Sequence, residues 1–269
     1  MHVIQDPSTI LSIDVFADDP LCFLDENGII VVQDVETAGT NLEYYFNGAL
    51  SPDGNLLDGQ VGGDFEVRVE NAEGCTYDTL ITLVDPYVLT LELNTEEQVI
   101  INLGDSLDIV ATTNILPENI ATVEWTNPES HTDPDKLITT INPYSRTSYE
   151  VVVTDMNGCV ISNSLTVLVT EDIHLFFPNI FSLEPGSQNT EFMIHGDRQV
   201  EQITLFEIYD RWGNKVFQTE NFRPGEEGSG WDGRFNGVEA AAGVYIYRVE
   251  ATLKNGKQKF YVGDVTLVK

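Results

Sequence analysis

The feature that most limits the fold of this chain is a pattern that occurs twice. Phe65-Glu66-Val67-Arg68-Val69 alternates apolar and polar residues, passes through Gly74-Cys75, and resumes as Leu80-Ile81-Thr82-Leu83. At an offset of 84 residues, Tyr149-Glu150-Val151-Val152-Val153, Gly158-Cys159 and Ser164-Leu165-Thr166-Val167 repeat it. A two-residue alternation broken by a polar turn that ends in Gly predicts a β-hairpin. The repeat is too long for a solenoid and suits tandem β-sandwich modules. No stretch of about 11 residues carries an apolar stripe at helical spacing. The chain is therefore predicted to be all-β.

The middle of the chain carries more of the sandwich pattern. Leu107-Asp108-Ile109-Val110-Ala111 alternates like a half-buried strand. Trp125 stands where such modules bury a Trp between sheets, and Tyr149, two residues before Val151, resembles a tyrosine corner. Both aromatics are read as packing residues, with Val151 in a plain hydrophobic core. The expected architecture is three tandem β-sandwich (Ig-like) domains over residues 1–86, 87–172 and 173–269.

Charge supports a boundary near residue 172. The 269 residues carry a formal charge of −31. Residues 1–86 hold 17 acidic side chains and 1 basic one, residues 87–172 hold 14 and 2, and residues 173–269 hold 13 and 10. Such acidity argues against binding nucleic acid or an anionic membrane, both of which need a cationic face. The last third, nearly balanced, suits docking against a protein. A generally acidic extracellular surface explains the same numbers. No apolar run approaches the roughly 18 residues of a membrane-spanning helix. Met1-His2-Val3-Ile4-Gln5-Asp6-Pro7 has no basic start and no apolar stretch, so a beginning within a larger protein is expected.

Chemistry-bearing words are few. Cys22 and Cys75 fall in one module and are the candidate disulfide in an oxidising compartment. Cys159 has no partner in its own module and reads as a small buried hydrophobe or a loop thiol. With no Cys-x-x-Cys pair, structural zinc is not expected. Gly104-Asp105-Ser106-Leu107 spells the word of one esterase family, but it precedes an all-β strand and is ordinary turn chemistry. His2, His131, His174 and His195 are scattered. No catalytic, cofactor or metal residues are assigned, and the chain is not expected to be an enzyme. Asp25-Glu26-Asn27-Gly28, Asp53-Gly54-Asn55 and Asp155-Met156-Asn157-Gly158 offer oxygen donors, so Ca²⁺ stays open as a ligand, though none has the full spacing of a calcium loop.

The last third carries a series of ordered words. These are Phe177-Pro178-Asn179-Ile180-Phe181, Arg211-Trp212-Gly213-Asn214-Lys215-Val216-Phe217, Trp231-Asp232-Gly233, Asn236-Gly237, Gly243-Val244-Tyr245-Ile246-Tyr247, and the closing Gly263-Asp264-Val265-Thr266-Leu267-Val268-Lys269. The series, over about residues 176–269, resembles the type B C-terminal sorting domain of the Bacteroidetes type IX secretion system, also called the gliding-motility-associated C-terminal domain. Two departures stand out. The family follows its Pro-Asn word with an Asp- and Gly-rich loop, where this chain has Ser182-Leu183-Glu184-Pro185-Gly186-Ser187-Gln188-Asn189-Thr190 and lacks most acidic ligands. The family also has Pro where this chain has Ala242.

Around residues 11–86, the words Cys22, Asn27-Gly28, Tyr44-Tyr45-Phe46, Asp64-Phe65-Glu66-Val67 and Glu73-Gly74-Cys75-Thr76 resemble a repeat of large Bacteroidetes surface adhesins. The second module is similar to the Ig- or PKD-like modules that precede sorting domains.

These resemblances imply the C-terminal part of a secreted or cell-surface protein of adhesin type. The last domain would be the address read by outer-membrane components of the secretion machinery, and the modules before it a stalk or spacers with an unknown adhesion ligand. The alternative is the non-catalytic tail of a secreted hydrolase with glycan-binding spacers. The recognition candidates are Arg211, Trp212, Trp231, Arg234 and the terminal run Gly263, Asp264, Val265, Thr266, Leu267, Val268 and Lys269. They would act through exposed aromatics and cations or by strand addition to a partner sheet. A purely structural role for both Trp residues and for the terminal strand competes with that reading.

Overall fold

A computed structural model describes residues 8–184 and 189–269. His2 and part of the departed loop, 185–188, lie outside the described residues. The chain is all-β. Its strands, in order, are β1 (Ser12–Asp18), β2 (Gly28–Glu36), β3 (Glu43–Phe46), β4 (Ala49–Leu50), β5 (Leu56–Gln60), β6 (Gly63–Glu70), β7 (Thr76–Leu83), β8 (Leu91–Leu93), β9 (Gln98–Asn102), β10 (Leu107–Thr113), β11 (Ile120–Trp125), β12 (Ile138–Ile141), β13 (Thr147–Asp155), β14 (Val160–Thr170), β15 (Leu175–Phe176), β16 (Ile180–Ser182), β17 (His195–Gly196), β18 (Val200–Tyr209), β19 (Lys215–Thr219), β20 (Arg234–Phe235), β21 (Val238–Glu239), β22 (Gly243–Leu253) and β23 (Gln258–Val268). Among the described residues, helical structure is limited to two short 3₁₀ turns, Pro117–Asn119 and Pro128–Ser130.

The chain forms two compact units: residues 1–92, 112–124 and 152–163 in one, and residues 93–111, 125–151 and 164–269 in the other. In the first unit, the sheets β1-β2-β5 and β4-β3-β6-β7 enclose a sandwich core. Ile30 and Val32 of β2 meet Phe46, Phe65, Val67, Val69 and Leu83 there. The alternation in Phe65, Val67 and Val69 buries every second residue of β6, as the sequence requires, and β6 pairs antiparallel with β7 from Gly63↔Leu83 to Glu70↔Thr76.

A disulfide joins Cys22 to Cys159, 137 positions apart in sequence and both in this unit, with a Cα–Cα separation of 5.5 Å. The expected Cys22–Cys75 pairing is thereby corrected. Cys75 is a free thiol whose sulfur lies 3.6 Å from the Ser8 hydroxyl oxygen. Cys75 and Cys159 occupy equivalent turn positions of the repeat, so each had an equal local claim on Cys22. The tertiary path brings Cys22 to Cys159, and residue spacing within one module does not report that path.

In the second unit, the sheet β16-β23-β22-β18-β19 backs a larger core. Tyr245, Tyr247, Val249, Ala251 and Leu253 point inward from alternate positions of β22. They meet Phe181, Phe192, Ile194, Phe206, Trp231, Val265 and Leu267. Each large side chain buried this way contributes about 1.5–3 kcal/mol of hydrophobic transfer free energy. The aromatic rings adopt tilted and edge-on contacts, such as Trp231 against Tyr245 at 4.8 Å between centroids. Leu103, which follows β9, is buried in the same core, and Val169 packs against it. Glu171 accepts hydrogen bonds from Asn255 (2.8 Å) and Lys257 (2.5 Å), and Gln199 and Asp172 exchange amide bonds of 2.6 and 3.1 Å. The closing module is thus locked to the segment that leads into it.

The packing roles expected for Trp125 and Tyr149 match their burial in this unit. Trp125 Nε1 donates to Lys136 O (2.9 Å), and Ser130 Oγ donates to the Tyr149 hydroxyl (3.2 Å). The His131 ring lies between the two aromatics, with centroids 5.2 and 5.1 Å away.

Candidate recognition surface of the closing module

Among the described residues, one turn geometry held by an Asn or Asp side chain occurs three times. At 71–75, 155–159 and 210–214, the first residue is Asn or Asp and the fourth is Gly with φ of +81°, +90° and +86°. In each, the main-chain N–H of the first residue donates to the carbonyl of the fifth, and the Gly N–H donates back to the carbonyl of the first. The first residue's side-chain Oδ1 accepts the N–H of the fifth, at 2.9 Å for Asn71, 2.8 Å for Asp155 and 2.9 Å for Asp210. Asn and Asp hold such turns because their short side chains replace a main-chain acceptor. Gly supplies the left-handed backbone at the fourth position.

At the β18–β19 hairpin this frame is most heavily tied. Asp210 Oδ1 also accepts the Trp212 N–H (2.9 Å), and Oδ2 accepts Asn214 Nδ2 (2.9 Å). The Asn214 side-chain bond, followed by the main-chain N–H bonds, holds the Asp210 carboxyl below the usual carboxylate range. The two residues between the Asp and the Gly are Arg211 and Trp212. Trp212 is 76% exposed, and the Arg211 guanidinium carbon lies 4.9 Å from its ring centroid. The hairpin stem is pinned on the outer sheet face by Glu207. Burial pushes the Glu207 carboxyl up, but the Tyr209 hydroxyl (2.8 Å), Lys215 (3.2 Å) and Arg248 outweigh it and leave the group below its ordinary value.

The same end of the module carries the chain's last residues. A Cβ on Gly243 would lie 3.4 Å from Arg211 Nη2, Gly243 pairs with Leu267, and Lys269 Nζ lies 3.7 Å from Glu239 of the β20–β21 hairpin. Arg234 pairs with Glu239 across that hairpin, whose tip is Asn236-Gly237 with φ of +54° and +78°, a left-handed two-residue turn. Arg211, Trp212, Arg234 and Lys269 are all exposed and gather at this end.

The remaining candidates divide differently. Trp231 is fully buried and corrects its reading as an exposed contact residue: its Nε1 donates to Arg234 O (2.9 Å), and its ring packs on Tyr245 and Phe181. Val265 and Leu267 are likewise core residues. Gly263 makes room for the ring across from it, since a Cβ there would fall 2.3 Å from the Tyr247 hydroxyl oxygen. Thr266 and Val268 are half-buried, and Asp264 is exposed. The terminal strand is not a loose end. β23 pairs antiparallel with β22 from Gln258 to Leu267 and in parallel with β16 at Thr266–Val268. Adding its last residues to a partner sheet would first require displacing β16.

The other sequence words sit in turns. Ser106 Oγ accepts from Asn142 Nδ2 (3.2 Å) just before β10. Asn27 Oδ1 accepts the Leu21 N–H, and the Asp155 carboxylate is buried in its own turn. His174 is exposed beside Asp172 and Asp197, and His195 lies in β17. No group of three or more His, Cys, Asp or Glu among the described residues is arranged to hold a metal ion.

Residues 175–267 match the family described as CHU_C Type IX secretion signal domain. Such a signal implies export, a secreted or cell-surface location, and recognition by the secretion machinery. No helix among the described residues is long and apolar enough to cross a membrane. No curated protein matches the chain. Among solved structures, the three N-terminal domains of the outer capsid protein Hoc of bacteriophage RB49 are similar at 13% identity, covering 97% of this chain and 99% of that one, with a TM-score of 0.36. Titin domains I67–I69 are similar at 14% identity, with 96% and 100% covered and a TM-score of 0.34. The fibronectin(III)-like modules of Clostridium thermocellum CbhA are similar at 13% identity, with 59% and 95% covered and a TM-score of 0.26.

Proposed function

We propose that the chain is the C-terminal part of a non-catalytic, adhesin-type protein of Bacteroidetes. Its closing module is read by outer-membrane components of the type IX machinery, and the preceding sandwich modules serve as stalk or spacers. The observation that carries the reading is the display of Trp212, 76% exposed, on the most tightly tied turn of the module. A large exposed ring under a guanidinium costs solubility and contributes little to this fold. Aromatic and Arg side chains held rigid are the groups that anchor protein interfaces. Arg234 and Lys269 at the same end supply cations in a module that is otherwise near neutral. Fixing the turn beforehand lowers the entropy lost on docking.

The test joins a neutral reporter to the N-terminus of the full chain in a host with the export system. The Arg211→Glu/Trp212→Ala double variant should retain the fold, read as an unchanged thermal midpoint, while most reporter stays in the periplasm. Unimpaired export of that variant would place recognition elsewhere on the module.

A further inference from the structure

β23 has a second, open stretch of edge. Its outer neighbour β16 covers only Thr266–Val268, and among the described residues no other strand pairs with that edge from Gln258 to Asp264. The N–H of Thr266 reaches outward to Asn179 O, so by the alternation of a strand the main-chain groups of Gln258, Phe260, Val262 and Asp264 also face outward. Of the exposed side chains along this stretch, Gln258, Phe260, Val262 and Asp264, the central two are apolar: Phe260 is 63% and Val262 73% exposed, and Ile246 of β22 is exposed opposite Asp264. Long edges are normally blunted by Pro, a bulge or an inward charge. Neither Pro nor a bulge interrupts 258–264, and the one charge on its inner face, the half-buried Lys259, lies toward one end and leaves 260–264 without such a block.

We propose that this edge pairs with the same edge of a second copy of the chain. The open stretch is symmetric about Tyr261, so an antiparallel pair with its two-fold axis at Tyr261 uses all of it. Phe260 then faces Val262 of the other copy, twice, on the solvent side of one continuous sheet. Gln258 faces Asp264, and Lys259 faces Gly263, so no like charges oppose. The self-complementarity is what a two-fold interface needs. β16 ends the pairing at Thr266 and fixes its register. The closing module, with 13 acidic and 10 basic side chains in residues 173–269, is also the part of the chain where two copies repel least.

Sedimentation of the full chain across a concentration series tests the pairing, in about 0.15 M salt so that charges more than roughly 8 Å apart are screened. A monomer–dimer equilibrium is expected. Val262→Pro removes an outward N–H but none that serves β22, a substitution that edge strands tolerate. It should abolish the dimer, as should Phe260→Lys, with circular dichroism and thermal midpoint confirming that each variant is folded. A wild-type chain that stays monomeric throughout would overturn the proposal and leave the edge to a different partner's strand. So would a dimer that survives in both folded variants.

Discussion

The turns at 155–159 and 210–214 share one backbone and differ in what they carry. In Asp155-Met156-Asn157-Gly158-Cys159 the fifth residue leaves the turn as half of a disulfide. In Asp210-Arg211-Trp212-Gly213-Asn214 the fifth residue folds back onto Asp210 Oδ2, and the middle residues present a stacked guanidinium and indole. The Asp and the Gly are therefore scaffold, and the other three positions are free to take a role. The first unit, whose sandwich core is modest, spends such a turn on a covalent staple. The second unit has a broad aromatic core to hold it and leaves its turn free for display.

If display and core are separable, truncating the two Trp residues of the closing module should give opposite results. Trp231→Ala should cost about 3–5 kcal/mol, because it opens a cavity among Phe181, Phe192 and Tyr245 and leaves the Arg234 carbonyl without its donor. Urea denaturation would show it as a much lower midpoint. A small shift for Trp231, or one for Trp212 as large as that for Trp231, would erase the distinction between the two indoles. The staple sets the next largest effect. Cys22→Ser should destabilise the first unit by about 2–5 kcal/mol, whereas Cys75→Ser should stay within about 0.5 kcal/mol. Reductant should bring the wild type to the Cys22→Ser midpoint. Equal costs for the two Ser variants would mean that Cys75 and Cys159 are interchangeable after all.

The strands of this contrast were legible in the sequence, but their outcomes were not. Alternation marked β6, β13 and β22, and Asn or Asp before Gly marked their turns, because both signals are local. Asp210–Asn214 carries the same spacing of Asn or Asp and Gly as the turns of the repeat, so the frame of the third copy is written locally as well. Burial of Trp231 depends on Phe181 and Tyr245, which lie on segments distant in sequence, so no window around residue 231 reports it. The choice between Cys75 and Cys159 rests on chain path alone. Leu103 follows β9, and nothing near it in sequence shows that it completes the core of the closing module.

Acid separates the scaffold from its cargo with the smallest effect. Because the Asp210 carboxyl titrates below its ordinary value in the folded chain, the ionised form stabilises the turn. That contribution is fully present above the usual carboxylate range and fades as pH falls through the depressed value. Asp210→Asn keeps an acceptor at Oδ1 but has no charge to lose. At neutral pH its urea midpoint should lie slightly below that of the wild type, and the two should converge on acidification. In the folded chain, emission quenched by iodide follows Trp212 and so the turn itself, since Trp125 and Trp231 are buried away from the quencher. Parallel midpoints at every pH would mean that the Asp210 charge does not stiffen the display. Its equivalence to Asn71, which holds the same turn uncharged, would then be complete.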